Sequence, residues 1–260
     1  MGQFFRSSRF SAWGLAWNVA AWLTVALVAG WPTAKKGMAS EPTEETAKDL
    51  GSPLVKDPGS LKRLDPAAPV WLDVRHKRVV VLGTVCQADY PLDFFATYRD
   101  RSYEAIVSTD ARPSVVHAGL LAIGAKPGRP VQFQPNFVAP SGMEVAIEVR
   151  WKDAQGKTHS SPAQDWVRNV KTKKPLKSNW VFAGSRLVTD ETTGERRYLA
   201  DSGEFICLLN LPSAMLDLPI ESKSSLESRL FEAFRERLPP AGTPVTLLLK
   251  PKIERTQTKK

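Results

Sequence analysis

The chain has 260 residues, 42% of them hydrophobic, enough for one large domain or two small ones with a well-buried core. Its formal net charge of +9 is unevenly spread: residues 1–39 carry four basic side chains and no acid, and residues 250–260 carry five against Glu254. The remainder is close to neutral, which excludes nucleic acid from the expected partners, because a binder of the phosphate backbone gathers its Lys and Arg on a folded face.

The first segment with a physical signature is residues 10–34, which contain no charged side chain and follow Arg6 and Arg9. As a helix rising about 1.5 Å per residue this run spans roughly 37 Å, enough for a hydrocarbon core of about 30 Å. A cleavable signal has a shorter apolar core and a small-residue cleavage site. Here the small pair Gly37 and Ala39 lies beyond Lys35 and Lys36. Trp13 and Trp31 stand where interfacial aromatic belts sit. Residues 1–39 are therefore read as an export segment that stays as a membrane anchor, with a cleaved signal and secretion as the alternative. The domain is expected in the cell envelope or periplasm. Residues 40–69 are rich in Pro, Ser, Gly and charge without an apolar period, and read as a flexible linker.

The domain opens with two β-rich runs, 70–74 and 78–86, separated by Arg75, His76 and Lys77, which predicts a hairpin. Runs 92–98 and 104–108 predict a second. Pro113 at a first helical position, Val116, Leu120 and Ile123 on one face, and Gly124 beyond predict a helix over 113–123. Met143, Val145, Ile147, Val149 and Trp151 alternate with Glu144, Glu148 and Arg150, the period of a strand with one wet face. Ser161, Pro162 and Gln164 resemble a capping box opening a short helix that carries Trp166. Runs 180–188, 196–200 and 204–209, joined through Gly194 and Gly203, predict a meander. Leu226, Leu230 and Phe234 suggest a third helix over 226–238, and 244–249 a closing strand. The expected fold class is α+β: a mostly antiparallel β-sheet domain over 70–250 with two or three short helices, preceded by the apolar helix and linker. A basic disordered tail, 251–260, follows.

Residues 110–128, DARPSVVHAGLLAIGAKPG, resemble the helix motif of the YdjY-like domain, a family of exported bacterial proteins of unknown function. QDWVRN around Trp166, NWVFAGS at 179–185 and ADSGE followed by LLNLPSAML at 200–216 agree with it in order. The resemblance spans about residues 70–250 and implies export and a single domain. It supplies no reaction, substrate or catalytic residue.

Candidate chemistry is sparse. Of three histidines, His76 and His159 fall in expected loops and His117 in the helix, so no metal site assembles. Ser185 as nucleophile, His117 as base and Asp201 or Asp110 as orienter satisfy the general logic of a triad. The Gly-x-Ser-x-Gly elbow is missing, because Arg186 and Leu187 follow Ser185. Trp166 and Trp180 are candidates to line a ligand groove, or for the core. Cys86 and Cys207 allow one disulfide in an exported compartment, or two buried thiols. The expected function is an exported, envelope-associated, non-catalytic module that binds a small ligand or an envelope protein, with the membrane as partner through its N-terminal segment. The alternatives are a small-molecule hydrolase using His117 with Ser185 or Asp201, and a redox-associated exported protein. No cofactor is called for.

Overall fold

Runs of valine and leucine too long for a one-sided strand set the frame. The computed structural model describes residues 49–88, 91–222 and 230–253. Eight strands close on themselves: β1 Arg78–Val85, β2 Phe94–Tyr98, β3 Ala105–Thr109, β4 Glu144–Lys152, β5 Trp180–Phe182, β6 Ile206–Cys207, β7 Leu216–Asp217 and β8 Pro244–Pro251. Around the wall the order is β1, β8, β4, β5, β7, β6, β2, β3 and back to β1. The expected α+β sheet with two or three helices is thus corrected to a closed, mostly β barrel with one α-helix among the described residues, α1 Pro113–Ala122. Closure through β3 and β1 is a pairing between residues more than twenty apart, and no local period encodes it.

Each long strand does double duty. The first half of β1 pairs with Val70–Asp73 and its end with β3. The start of β4 pairs with β5, and its second half with Thr158–Pro162, which lies outside the barrel. The wall therefore forks at both strands. At the β1 fork, α1 packs on β1 and on Val70–Asp73, burying Val116, Gly119 and Leu120. Gly119 permits this approach: a Cβ there would stand 3.1 Å from Val79 Cγ2 and 2.7 Å from Leu64 Cδ1. At the β4 fork sits the turn Ala163–Trp166. It is a single 3-10 turn with no side-chain cap, because Ser161 and Pro162 belong to the preceding strand. The short helix expected to carry Trp166 is thus one 3-10 turn, and the capping box expected to open it is not formed.

Three further expectations differ. The second hairpin has its strands, but β2 and β3 run parallel, joined by Arg99–Glu104. Arg101 holds that crossing through Glu104 and Glu204 and lies over Phe94. The meander breaks at Gly184 (φ +89°) and Ser185 (φ +53°), so Leu187–Thr189 and Arg196–Tyr198 form a separate ribbon. The described part of the third helix is a strand, Phe231–Ala233, paired with Val167–Asn169, followed by a single 3-10 turn, Arg235–Arg237. Phe231 and Ala233 are buried while Glu232 meets Arg168, a period of two hidden by the leucine spacing. Residues 223–229, the export segment and the tail beyond residue 253 lie outside the described residues.

Residues 49–69, which composition assigns to a linker, run along the barrel. Pro53 is buried, Leu54 N–H donates to Thr246 Oγ1 (2.9 Å), and Arg150 donates to Leu54 O (3.0 Å). Lys62–Arg63 adds an edge strand to Val70–Asp73, and Leu64 packs on the core. A few well-placed apolar residues and backbone bonds suffice to order such a segment. Among the described residues no helix is long and apolar enough to cross a membrane.

Candidate functional site

The residues that sequence marked for catalysis gather around the first two turns of α1. Its own N-cap, Arg112, makes no capping bond. Asp201 supplies the cap instead, accepting Ser114 N–H at 2.8 Å on Oδ1 and Ser114 Oγ–H at 2.7 Å on Oδ2. A carboxylate at a helix N-terminus is also favoured by the helix dipole. One turn on, His117 Nδ1 lies 2.8 Å from the Tyr198 hydroxyl, which donates to Gly184 O at 3.0 Å. The Tyr198 hydroxyl has one proton, so both bonds form together only in the tautomer with the His117 proton on Nδ1. His117 also meets Phe182 edge-on, with ring centroids 4.7 Å apart. Burial lowers the His117 pKa and pushes the Tyr198 hydroxyl far up, so both are neutral near pH 7.

Ser185 Oγ donates to Ser213 O (2.6 Å) and accepts Ala200 N–H (3.1 Å). The fold therefore brings Ser185, His117 and Asp201 into one neighbourhood, but each is bonded to a structural partner rather than to the next. Trp166 and Trp180 are 1% and 0% exposed. They flank Phe95 at 6.4 and 5.4 Å between ring centroids, and Trp180 Nε1 donates to Cys207 O at 2.7 Å. Both are core residues. The structure contains no disulfide at Cys86 or Cys207. Cys207 pairs with Phe94 on β2, Phe94 with Ala105 on β3, and Cys86 N–H bonds Ile106 O on β3. That is three strand spacings of about 4.8 Å, beyond the Cα separation of about 7 Å that a disulfide bridges. Burial and the nearby Asp217 carboxylate raise the Cys207 thiol pKa well above its ordinary value.

A different place has the shape of a binding site. Where β4 parts from β5, the gap between Thr158–Pro162, the turn Ala163–Trp166 and the approach to β5 is a groove of about 660 Å³, within the usual range for small-molecule sites. Ala146, Ile147, Pro162 and Leu176 give it an apolar lining, and Ser160, Gln164 and Asn179 a polar one. Gln164 Nε2 donates to Asn179 Oδ1 at 2.7 Å, and Asn179 Nδ2 to Glu144 Oε2 at 3.2 Å, so two amides are fixed side by side. Ser161 Oγ has no accessible surface and no hydrogen-bond partner among the described residues, and its strand register places Ser161 opposite fully buried Val149 rather than on the groove side. None of His117, Ser185, Asp201, Trp166 or Trp180 lines the groove. Sequence reasoning missed it, although Gln164 and Asn179 open the two runs QDWVRN and NWVFAGS. The tryptophans two and one residues further on are the buried anchors that set those amides in place.

Charge in the groove is also organised. Burial pushes the Glu148 carboxyl up, but bonds from Lys250 and from Arg150 (2.6 Å) outweigh this and hold it below the usual range. Asp165 Oδ1 lies 3.6 Å from Arg237. Among the described residues no three or more His, Cys, Asp or Glu side chains are grouped to hold a metal ion. The family model of the YdjY domain matches residues 70–250. No curated protein and no solved structure matches the chain.

Proposed function

The chain belongs to the YdjY domain family, and from that premise we propose that it is an exported envelope protein whose barrel is a non-catalytic module binding a small polar ligand. The observation that carries the reading is the groove at the β4 fork, where two fixed amides and the Ser160 hydroxyl stand beside an apolar lining. Apolar lining with a few oriented polar groups is the usual make-up of a small-molecule site. Export is supported by the uncharged run at 10–34, which also supplies the membrane as a partner.

The hydrolase alternative is weaker because the Ser185 hydroxyl and both Asp201 oxygens are taken up by main-chain and Ser114 bonds. The redox alternative is weaker because Cys207 is fully buried with a raised thiol pKa, the opposite of a reactive thiolate. A ligand-observed NMR screen of small polar molecules tests the proposal, run on the wild type and on Ala146→Trp, which fills the groove. Binders that vanish in the variant are the expected result. Binders that persist in it, or a screen without binders, would sink the reading.

A further inference from the structure

We infer that the ligand of this groove is a small, oxygen-rich anion of the sugar-acid class, with Lys177 and Lys250 supplying its charge partners; the inference rests on the groove reading above. Four charged side chains line the groove: Glu148, Asp165, Lys177 and Lys250. Both carboxylates already have a guanidinium partner, Glu148 in Arg150 and Asp165 in Arg237. Glu148 also bonds Lys250, so two cations share one carboxylate there. Lys177 is exposed, and among the described residues no carboxylate pairs with it. The local balance is an excess of positive charge, which favours a negative ligand and disfavours an amine.

The polar wall specifies the rest of the molecule. The exposed Ser160 hydroxyl both donates and accepts, and the Gln164 and Asn179 amides do the same. Such a set matches ligand hydroxyl groups, which need both roles. No aromatic ring lines the groove, so recognition by stacking, as of a nucleobase, has no platform there.

The test is calorimetric titration of the full-length protein with D-galacturonate, D-galactose and D-galactosamine at low ionic strength. Galacturonate is expected to bind about tenfold more tightly than galactose, the scale of a charge-assisted hydrogen bond. Galactosamine is expected to be the weakest. Lys177→Gln, a change at an exposed side chain, is expected to weaken galacturonate about two- to fivefold and galactose by less, so that the preference for the anion falls. Galactose or galactosamine binding as tightly as galacturonate, with both lost in Ala146→Trp, would overturn the anionic class and keep the groove. Galacturonate binding that survives Ala146→Trp, or no saturable heat from any of the three, would overturn both.

Discussion

Asp217 is fully buried on β7, with Oδ1 accepting Asn210 Nδ2 (3.0 Å) and Leu218 N–H (2.8 Å) and Oδ2 bonded to nothing. Burial outweighs those bonds and pushes its pKa up to about 7 from 3.8. A carboxyl whose folded pKa is raised stabilises the fold below its unfolded pKa, and that contribution is lost as pH rises from about 4 through about 7. Urea denaturation is therefore expected to show a lower stability at pH 8 than at pH 5, by up to about 3 kcal/mol from this group. Asp217→Asn keeps the acceptor, so the variant's pH dependence over that interval should flatten; an unchanged slope would contradict the assignment. Tyr198→Phe strips the bonds to His117 and Gly184 O at once, and is expected to cost about 1–3 kcal/mol in the same assay. His117 was legible as a helix-face residue from its spacing to Leu120 and Leu121. Its partner Tyr198 was not, because 81 residues separate the two. Ser185 and Asp201 were legible as residue types suited to chemistry, but only geometry shows their bonds spent on Ser213, Ala200 and Ser114.

At the scale of elements, strong local signals were readable. Pro113 with Val116 and Leu120 marked α1, and the alternation of residues 143–151 marked β4. What failed were the weak helices, where apolar residues three or four apart also fit a strand or a 3-10 turn. The capping of α1 by a residue 87 positions away was equally out of reach. Asp201→Ala removes that cap and is expected to destabilise the protein by about 1 kcal/mol, with Asp201→Asn recovering much of it. Thermal unfolding followed by circular dichroism measures both. Equal stability of the alanine variant and the wild type would mean that α1 is held by its apolar face alone.

The described residues form a barrel in which two long strands, β1 and β4, fork, one fork covered by α1 and the other left as a groove. The hairpin of Val70–Asp73 with β1 was visible in the sequence, but a closing pair such as β3 with β1 was not, since it depends on the path of the intervening chain. The segment 49–69 shows the same limit: its composition is that of a spacer, yet Pro53, Leu54 and Leu64 tie it down. A chain starting at residue 70 is expected to unfold about 2–4 kcal/mol more easily than one starting at 49. Equal urea midpoints would return that segment to the status of a tether. The groove itself joins residues from 146 to 250, so its polar members were readable one at a time and never as a set. The most direct test of the central claim is an amide-resolved NMR titration with D-galacturonate. Shifts gathered on 146–148, 160–164 and 176–179 are the expected result, and shifts gathered instead around His117, Ser185 and Tyr198 would contradict it and move the site to α1.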